Sequence, residues 1–258
     1  GNEISYGMMW GQPNGTLKQC WPSSTQNWKR FEKLLIEATK ACREECPNAK
    51  IIIHTERTSI SQQNDNKNYA ALSNFYKKMK EADIDYDIIG LSYYPYFHGT
   101  ISELEGAINL LEKDYSDKSI MVVEFGYPYA WAVGGTTYDY TGKYPYSDDG
   151  QKAITADMVK MLKKHDKVNG LFWWWPEYNA NGTSLSGWYN SPLFDSRTGQ
   201  ATSALSELVK YGQTATRIKG TTINTTTTDC KYYTLSGQET KSPSHGVYLH
   251  NGQKKLRK

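Results

Sequence analysis

Two hydrophobic periods alternate along the chain. Between Asn27 and Glu45 apolar residues fall at Phe31, Leu34, Leu35, Ala38 and Ala41, a three-and-four spacing that predicts a helix with one buried face, ended by Pro47. The run Ala49 to His54, centred on three isoleucines, predicts a buried strand. The pattern repeats: a helix from Asn68 to Ala82 on Tyr69, Leu72, Phe75, Tyr76 and Met79, a strand from Asp87 to Ser92, and a helix from Ser102 to Tyr115. A strand from Ser119 to Glu124, a helix from Gly150 to His165, a strand from Val168 to Trp174 and a helix from Thr202 to Tyr211 complete it. Such alternation predicts a parallel sheet covered by helices. With Gly1-Asn2-Glu3-Ile4 read as the end of a strand, there are five strands and five helices, five-eighths of a (β/α)8 barrel.

Beyond Gly212 the character changes. A polar, threonine-rich run from Thr221 to Thr228 reads as a linker, and short strand-like pieces (Tyr232 to Leu235, Val247 to His250) with turns at Ser236-Gly237 and Asn251-Gly252 read as a small β appendage. The expected layout is therefore a partial barrel over 1–212, a linker over 213–229 and a tail over 230–258.

Composition narrows the function. The net charge is +3, and much of it sits in Lys241, Lys254, Lys255, Arg257 and Lys258, so no nucleic-acid partner is expected. No apolar stretch reaches the length of a membrane span. The 20 tyrosines and 8 tryptophans are concentrated beside Pro, Asn and Gly, which suits a carbohydrate surface as well as ordinary packing. The four cysteines show no zinc spacing; Cys20, Cys42 and Cys46 are open between one disulfide and free thiols. No metal or cofactor is expected.

The candidate chemistry lies in two glutamates, Glu3 and Glu124, each at a strand end, where a parallel barrel presents catalytic groups. Three βα units of about 40 residues separate them, placing them across the barrel mouth. Glycoside hydrolysis needs such a pair, one carboxyl protonated and one ionised, and a separation near 5 to 5.5 Å implies retention of configuration. Asn2, beside Glu3, is either a donor to a sugar 2-hydroxyl or a turn residue.

Several segments together carry a resemblance: Asn2-Glu3-Ile4, Ile53-His54, Gly90-Leu91-Ser92-Tyr93-Tyr94-Pro95-Tyr96-Phe97-His98-Gly99-Thr100, Val122-Val123-Glu124, Tyr144-Pro145 and Gly170-Leu171-Phe172-Trp173-Trp174-Trp175-Pro176. From Gly1 to about Gly212 the chain resembles glycoside hydrolase family 53, the arabinogalactan endo-β-1,4-galactanases of the retaining clan A of (β/α)8 barrels. The resemblance implies strands 4 to 8 of the barrel, with Glu3 as acid/base and Glu124 as nucleophile in a double displacement on galactan or arabinogalactan of pectin side chains. It implies Trp174 as the floor under the cleaved sugar. It also implies that either Tyr93 or Tyr94 hydrogen-bonds Glu124, the alternative for each being core packing. His54 is open between a cleft-lining and a structural role. Trp10, Trp131, Tyr178 and Trp188 are open between stacking platforms and loop anchors.

The chain departs from the family at Trp174-Trp175-Pro176, where many members have Trp-Glu-Pro, and in the Tyr127 to Tyr144 loop, which lacks a clustered calcium-ligand set. Strands 1 to 3 are expected to be absent. That leaves open a mannan- or cellulose-cutting enzyme of the same clan, an inactive fragment that at most binds polysaccharide, and pairing with a missing barrel half or self-association. The tail is similar to C-terminal segments of secreted Bacteroidetes proteins, implying a secreted, periplasmic or surface location with the signal peptide outside this sequence.

Overall fold

The computed structural model describes residues 1–9, 20, 25–58, 69–178 and 191–215, together with four short strands between 232 and 257. Two compact units result, Gly1–Thr216 and Arg217–Lys258.

The first unit is built on strands β1 (Ile52–Thr55), β2 (Ile88–Tyr93), β3 (Ser119–Phe125) and β4 (Val168–Trp173), parallel and in sequential order. Helix α1 (Thr25–Glu45) precedes the sheet. Helices α2 (Ala70–Glu81), α4 (Ile101–Asp114) and α5 (Asp148–Leu162) connect successive strands, and α6 (Ser203–Ala215) follows β4. A short helix, α3 (Pro95–His98), precedes α4. Right-handed crossovers between sequential parallel strands put the connecting helices on one face of the sheet, leaving the other as the barrel interior.

The core lies between helices and sheet. Leu72, Phe75, Tyr76 and Met79 of α2, and Leu104, Ala107, Ile108 and Leu111 of α4, form the buried stripe that their spacing predicts. They share one cluster with Ile89, Leu91, Ile120 and Val122 of the sheet, and each large aliphatic chain contributes about 1.5–3 kcal/mol by burial. Tyr76 also donates its hydroxyl to the carbonyls of Ile53 and Gly90 at 2.9 and 3.2 Å, joining α2 to two strands. Local signals set the helix starts. Thr100 and Glu103 form a reciprocal capping box at α4, and Ser147 caps α5 ahead of Asp148 and Asp149.

Two expectations need correction, and the open choice for the cysteines is resolved. The opening residues form no strand: Glu3 precedes a 3-10 turn over Ile4–Tyr6, so the described sheet has four strands. The backbone of Glu3 is left-handed, with a φ of 45°, not extended, so it does not continue a ladder. In α1 the buried stripe is Phe31, Leu35 and Thr39, while Ala38 and Ala41 are exposed, because two alanines bury too little to turn the helix their way. Cys20, Cys42 and Cys46 are free thiols, the first buried and the others exposed.

The second unit is a four-stranded antiparallel sheet of order β6-β5-β7-β8: β5 (Tyr232–Thr234), β6 (Glu239–Thr240), β7 (Gly246–His250) and β8 (Gln253–Arg257). The expected turns at 236–237 and 251–252 lie outside the described residues. Among the described residues no helix is long and apolar enough to cross a membrane.

Candidate active site

Strand parity decides which side chains enter the barrel interior. His54 of β1 pairs with Gly90 of β2, which pairs with Met121 of β3, so these three point the same way. Ser92, two residues beyond Gly90, joins them. Strict alternation from Met121 would turn Glu124 to the helix side. Instead the ladder jumps from Leu91↔Val122 to Ser92↔Glu124, leaving Val123 as an extra residue. This bulge rotates Glu124 onto the face of Ser92 and His54, a use of bulges seen beside active sites. Gly90 is required beneath them: a β-carbon there would lie 2.6 Å from the Ile52 side chain and 3.3 Å from the His54 backbone.

Glu3 arrives from outside the sheet. Its φ of 45° is left-handed, a strained conformation for a non-glycine residue, and its N–H donates to His54 Nδ1 at 3.4 Å. One carboxylate oxygen of Glu3, one of Glu124 and a ring nitrogen of His54 all lie within 4.8 Å of one another.

Hydrogen bonds fix the proton arrangement. Because His54 Nδ1 accepts from Glu3, its Nε2 carries the proton and donates to Ser92 Oγ at 2.7 Å. Burial holds the His54 pKa down at about 4, so the ring is neutral at ordinary pH. The Ser92 hydroxyl proton is then directed to the carboxyls, and its hydrogen bonds favour the ionised form of both Glu3 and Glu124. Burial dominates and raises both carboxyls above the usual range. Glu56 adds to the rise at Glu3, and the charge of Glu3 adds to the rise at Glu124. Tyr94 opposes it at Glu124 only, donating its hydroxyl to Oε2 at 2.8 Å.

The remaining candidates separate clearly. Tyr93, of opposite parity to Ser92, is fully buried, stacks on Phe125 and gives its hydroxyl to the Gly99 carbonyl at 2.9 Å, so it offers no surface to a sugar. Trp174 is half-buried against the Tyr94–Tyr96–Tyr127 cluster, its N–H bonded to the Phe125 carbonyl at 2.8 Å. It stacks on the exposed Trp175, which stacks on Tyr178. Asn2 is exposed, and Trp131 is 48% exposed beside Tyr129. His98 is a loop-fixing group, its Nδ1 accepting the Tyr94 N–H at 2.9 Å. Trp10 and Trp188 lie outside the described residues.

Sequence reasoning missed Ser92, although it is the one serine in a strand otherwise of apolar residues, glycine and tyrosine. It also missed the support behind Glu3. Ser5, in the 3-10 turn, hydrogen-bonds the buried Glu56 carboxylate, and Arg57 bridges Glu56 at 2.9 Å and Ser5 Oγ at 3.2 Å. A grouping of two carboxyls and an imidazole is also the one among the described residues compact enough to surround a cation. Two carboxyls that resist simultaneous ionisation already meet their electrostatic demand by keeping a proton between them.

Comparison with known proteins identifies the family. The family model for "Glycosyl hydrolase family 53" matches residues 1–208. An arabinogalactan endo-beta-1,4-galactanase of Thermothelomyces thermophilus is 28% identical over 80% of this chain and 59% of its own length. An endo-beta-1,4-galactanase of Bacillus subtilis is 27% identical over 66% of this chain and 39% of its own. The chain thus spans less than two thirds of these relatives. The solved GH53 catalytic domain of Ignisphaera aggregans superposes with a TM-score of 0.62 at 27% identity, covering 81% of this chain and 56% of that one. The four βα units are an arc of a clan A (β/α)8 barrel, and the chain that forms them belongs to glycosyl hydrolase family 53.

Proposed function

We propose that this chain hydrolyses internal β-1,4-galactosidic bonds of galactan or arabinogalactan with retention of configuration. The observation that carries the reading is the approach of Glu3 and Glu124 within 4.8 Å, inside the separation of retaining rather than inverting carboxyl pairs. Galactanase relatives support the substrate class.

In this reading Glu124, kept ionised by Tyr94 and Ser92, bonds to the anomeric carbon as the bond to the leaving oxygen breaks. That oxygen takes the proton of Glu3, which burial and Glu56 keep available. Glu3 then removes a proton from water, whose oxygen displaces Glu124 and restores both groups. Ser92 has one proton to give, and it serves whichever carboxyl is ionised: Glu124 before the first step, Glu3 before the second. Asn2 and Trp174 act as sugar contacts, the latter through its ring face. Trp131 extends the cleft. No cofactor takes part.

The same reading makes 1–212 the catalytic unit, 213–229 a linker and 230–258 a sorting tail of a secreted protein acting on pectin side chains. Assay of galactan, mannan and carboxymethylcellulose tests it. Galactan turnover with β-configured first products is expected; turnover of mannan or carboxymethylcellulose alone sinks it. A second reading, an arc that binds polysaccharide without cleaving it, draws on Phe172, which lies on the interior face yet is 55% exposed. A cooperative melt combined with galactan turnover eliminates that reading.

A further inference from the structure

We infer that a second, non-catalytic sugar site lies at the rim between the loops that follow β2 and β3, accepting one neutral hexopyranose unit. A cavity of about 190 Å3 opens there. It is well under the roughly 300–1,000 Å3 of a drug-sized site and suits a single ring. Its accessible apolar lining is Ile101 and the ring of the half-buried Tyr140, while Tyr93, Pro95 and Ile154 of the same lining are buried. The exposed Thr100, Ser102 and Lys143 and the buried Tyr144 complete the lining. An aromatic ring and an aliphatic side chain beside the hydroxyls of Ser102 and Tyr140 match a pyranose, which has one carbon-rich face and a polar edge.

The cavity is separate from the catalytic row. Tyr93 and Ser92 are adjacent on β2, so their side chains point to opposite faces, and Glu3, His54 and Glu124 are not among the lining residues. Charge selects a neutral occupant. Lys143 is the lining cation, and it is paired with Asp157 at 3.0 Å and lies over the Tyr144 ring at 4.6 Å. The nearby Glu103 carboxylate is engaged in the Thr100 cap. The walls are preformed: Tyr144 gives its hydroxyl to Asp157 at 2.6 Å and its carbonyl accepts from Tyr127 at 2.8 Å. Thr137 and Tyr138 N–H groups tie the same loop to the Tyr96 carbonyl. Little ordering remains for a ligand to impose, which favours a weak but usable site.

The identity of the polymer rests on the galactanase reading; the pocket itself does not. The test is amide chemical-shift titration of the intact chain with D-galactose, D-mannose and D-galacturonate, in wild type, Glu124→Gln and Tyr140→Ala, the last checked for an unchanged melt. Saturable shifts at Gly99, Thr100, Ser102, Lys143 and Tyr144 with a neutral hexose, retained in Glu124→Gln and weakened at least threefold in Tyr140→Ala, are expected. Galactose and mannose producing the same shifts keeps the site even where galactan is not hydrolysed, separating failure of the pocket from failure of the proposed function. Absence of saturable shifts with either hexose overturns the inference, as does galacturonate binding more tightly than galactose, or shifts indifferent to Tyr140→Ala. A Ser102→Trp chain guards against a compensating wall: it blocks the cavity and is expected to abolish the shifts.

Discussion

The two carboxyls of the candidate active site are held by opposite kinds of structure. Glu124 sits inside β3, a strand paired on both sides, with Ser92 of β2 in register beside it and Tyr94 on its oxygen. Glu3 heads a 3-10 turn in a left-handed conformation that costs about 1–2 kcal/mol for a side-chain-bearing residue. It is kept in place by an N–H bond to His54 and, through Ser5, by Glu56 and Arg57. One carboxyl is positioned by backbone, the other by side chains. The difference fits their proposed tasks, since a nucleophile must meet one carbon along one line, whereas an acid/base must reach an oxygen and then a water.

The largest expected effect separates those tasks. Glu124→Gln is expected to lower turnover of galactan on the order of 10^4-fold, because no other group forms the covalent intermediate. Glu3→Gln is expected to lose about 10^2–10^4-fold on galactan but far less in the first step on an aryl galactoside whose leaving group needs no proton. Burst kinetics on the aryl substrate reads both. Equal losses for the two variants in that first step would show that the assigned roles are wrong.

A smaller effect, of about tenfold in rate, distinguishes the shared donor from the private one. Ser92 lowers both carboxyl pKa values and Tyr94 lowers that of Glu124 alone. Losing a donor raises the carboxyl it served. Ser92→Ala is therefore expected to move both limbs of the bell-shaped pH profile to higher pH, and Tyr94→Phe the acidic limb only. A Ser92→Ala profile that falls without moving would reduce Ser92 to packing.

The same electrostatics reaches stability. Both folded carboxyl pKa values are raised, so their contribution is most favourable below the unfolded value of 4.5 and is lost as pH rises through the folded values. Glu124→Gln removes one of two buried like charges. Its melting temperature is expected to exceed that of the wild type at pH 7, with the gain disappearing near pH 4. A gain that persists at pH 4 would assign it to packing.

Much of this architecture is legible in the sequence because the helices and strands obey simple periods. Leu72, Phe75, Tyr76 and Met79 announce a buried helix face, and the β-branched runs announce a parallel sheet. The proposed catalytic pair is marked in the sequence by its βα spacing and the motifs around it. Three features are not. The bulge at Val123 leaves no mark in Val122-Val123-Glu124, since any residue can be the extra one, yet it alone puts Glu124 on the interior face. The turn at Glu3 is a tertiary outcome, made by contacts to residues more than fifty positions away. The difference between Tyr93 and Tyr94 is a matter of which face the strand offers, and adjacent identical residues give no hint of it.

The smallest effect tests whether side chains truly govern the Glu3 end. Glu56 is buried, bonded to Ser5 and Arg57, and its charge raises the Glu3 pKa without being among the causes of the shift at Glu124. Glu56→Gln removes that charge and keeps the shape, so the Glu3 pKa is expected to fall and the basic limb of the pH profile to move to lower pH. The acidic limb, belonging to Glu124, is expected to stay. Activity at the optimum should change by less than about threefold, because a surviving amide still accepts from Ser5. Movement of both limbs would mean that the two ends are one coupled unit, and the division between backbone-held and side-chain-held carboxyls would have to be given up.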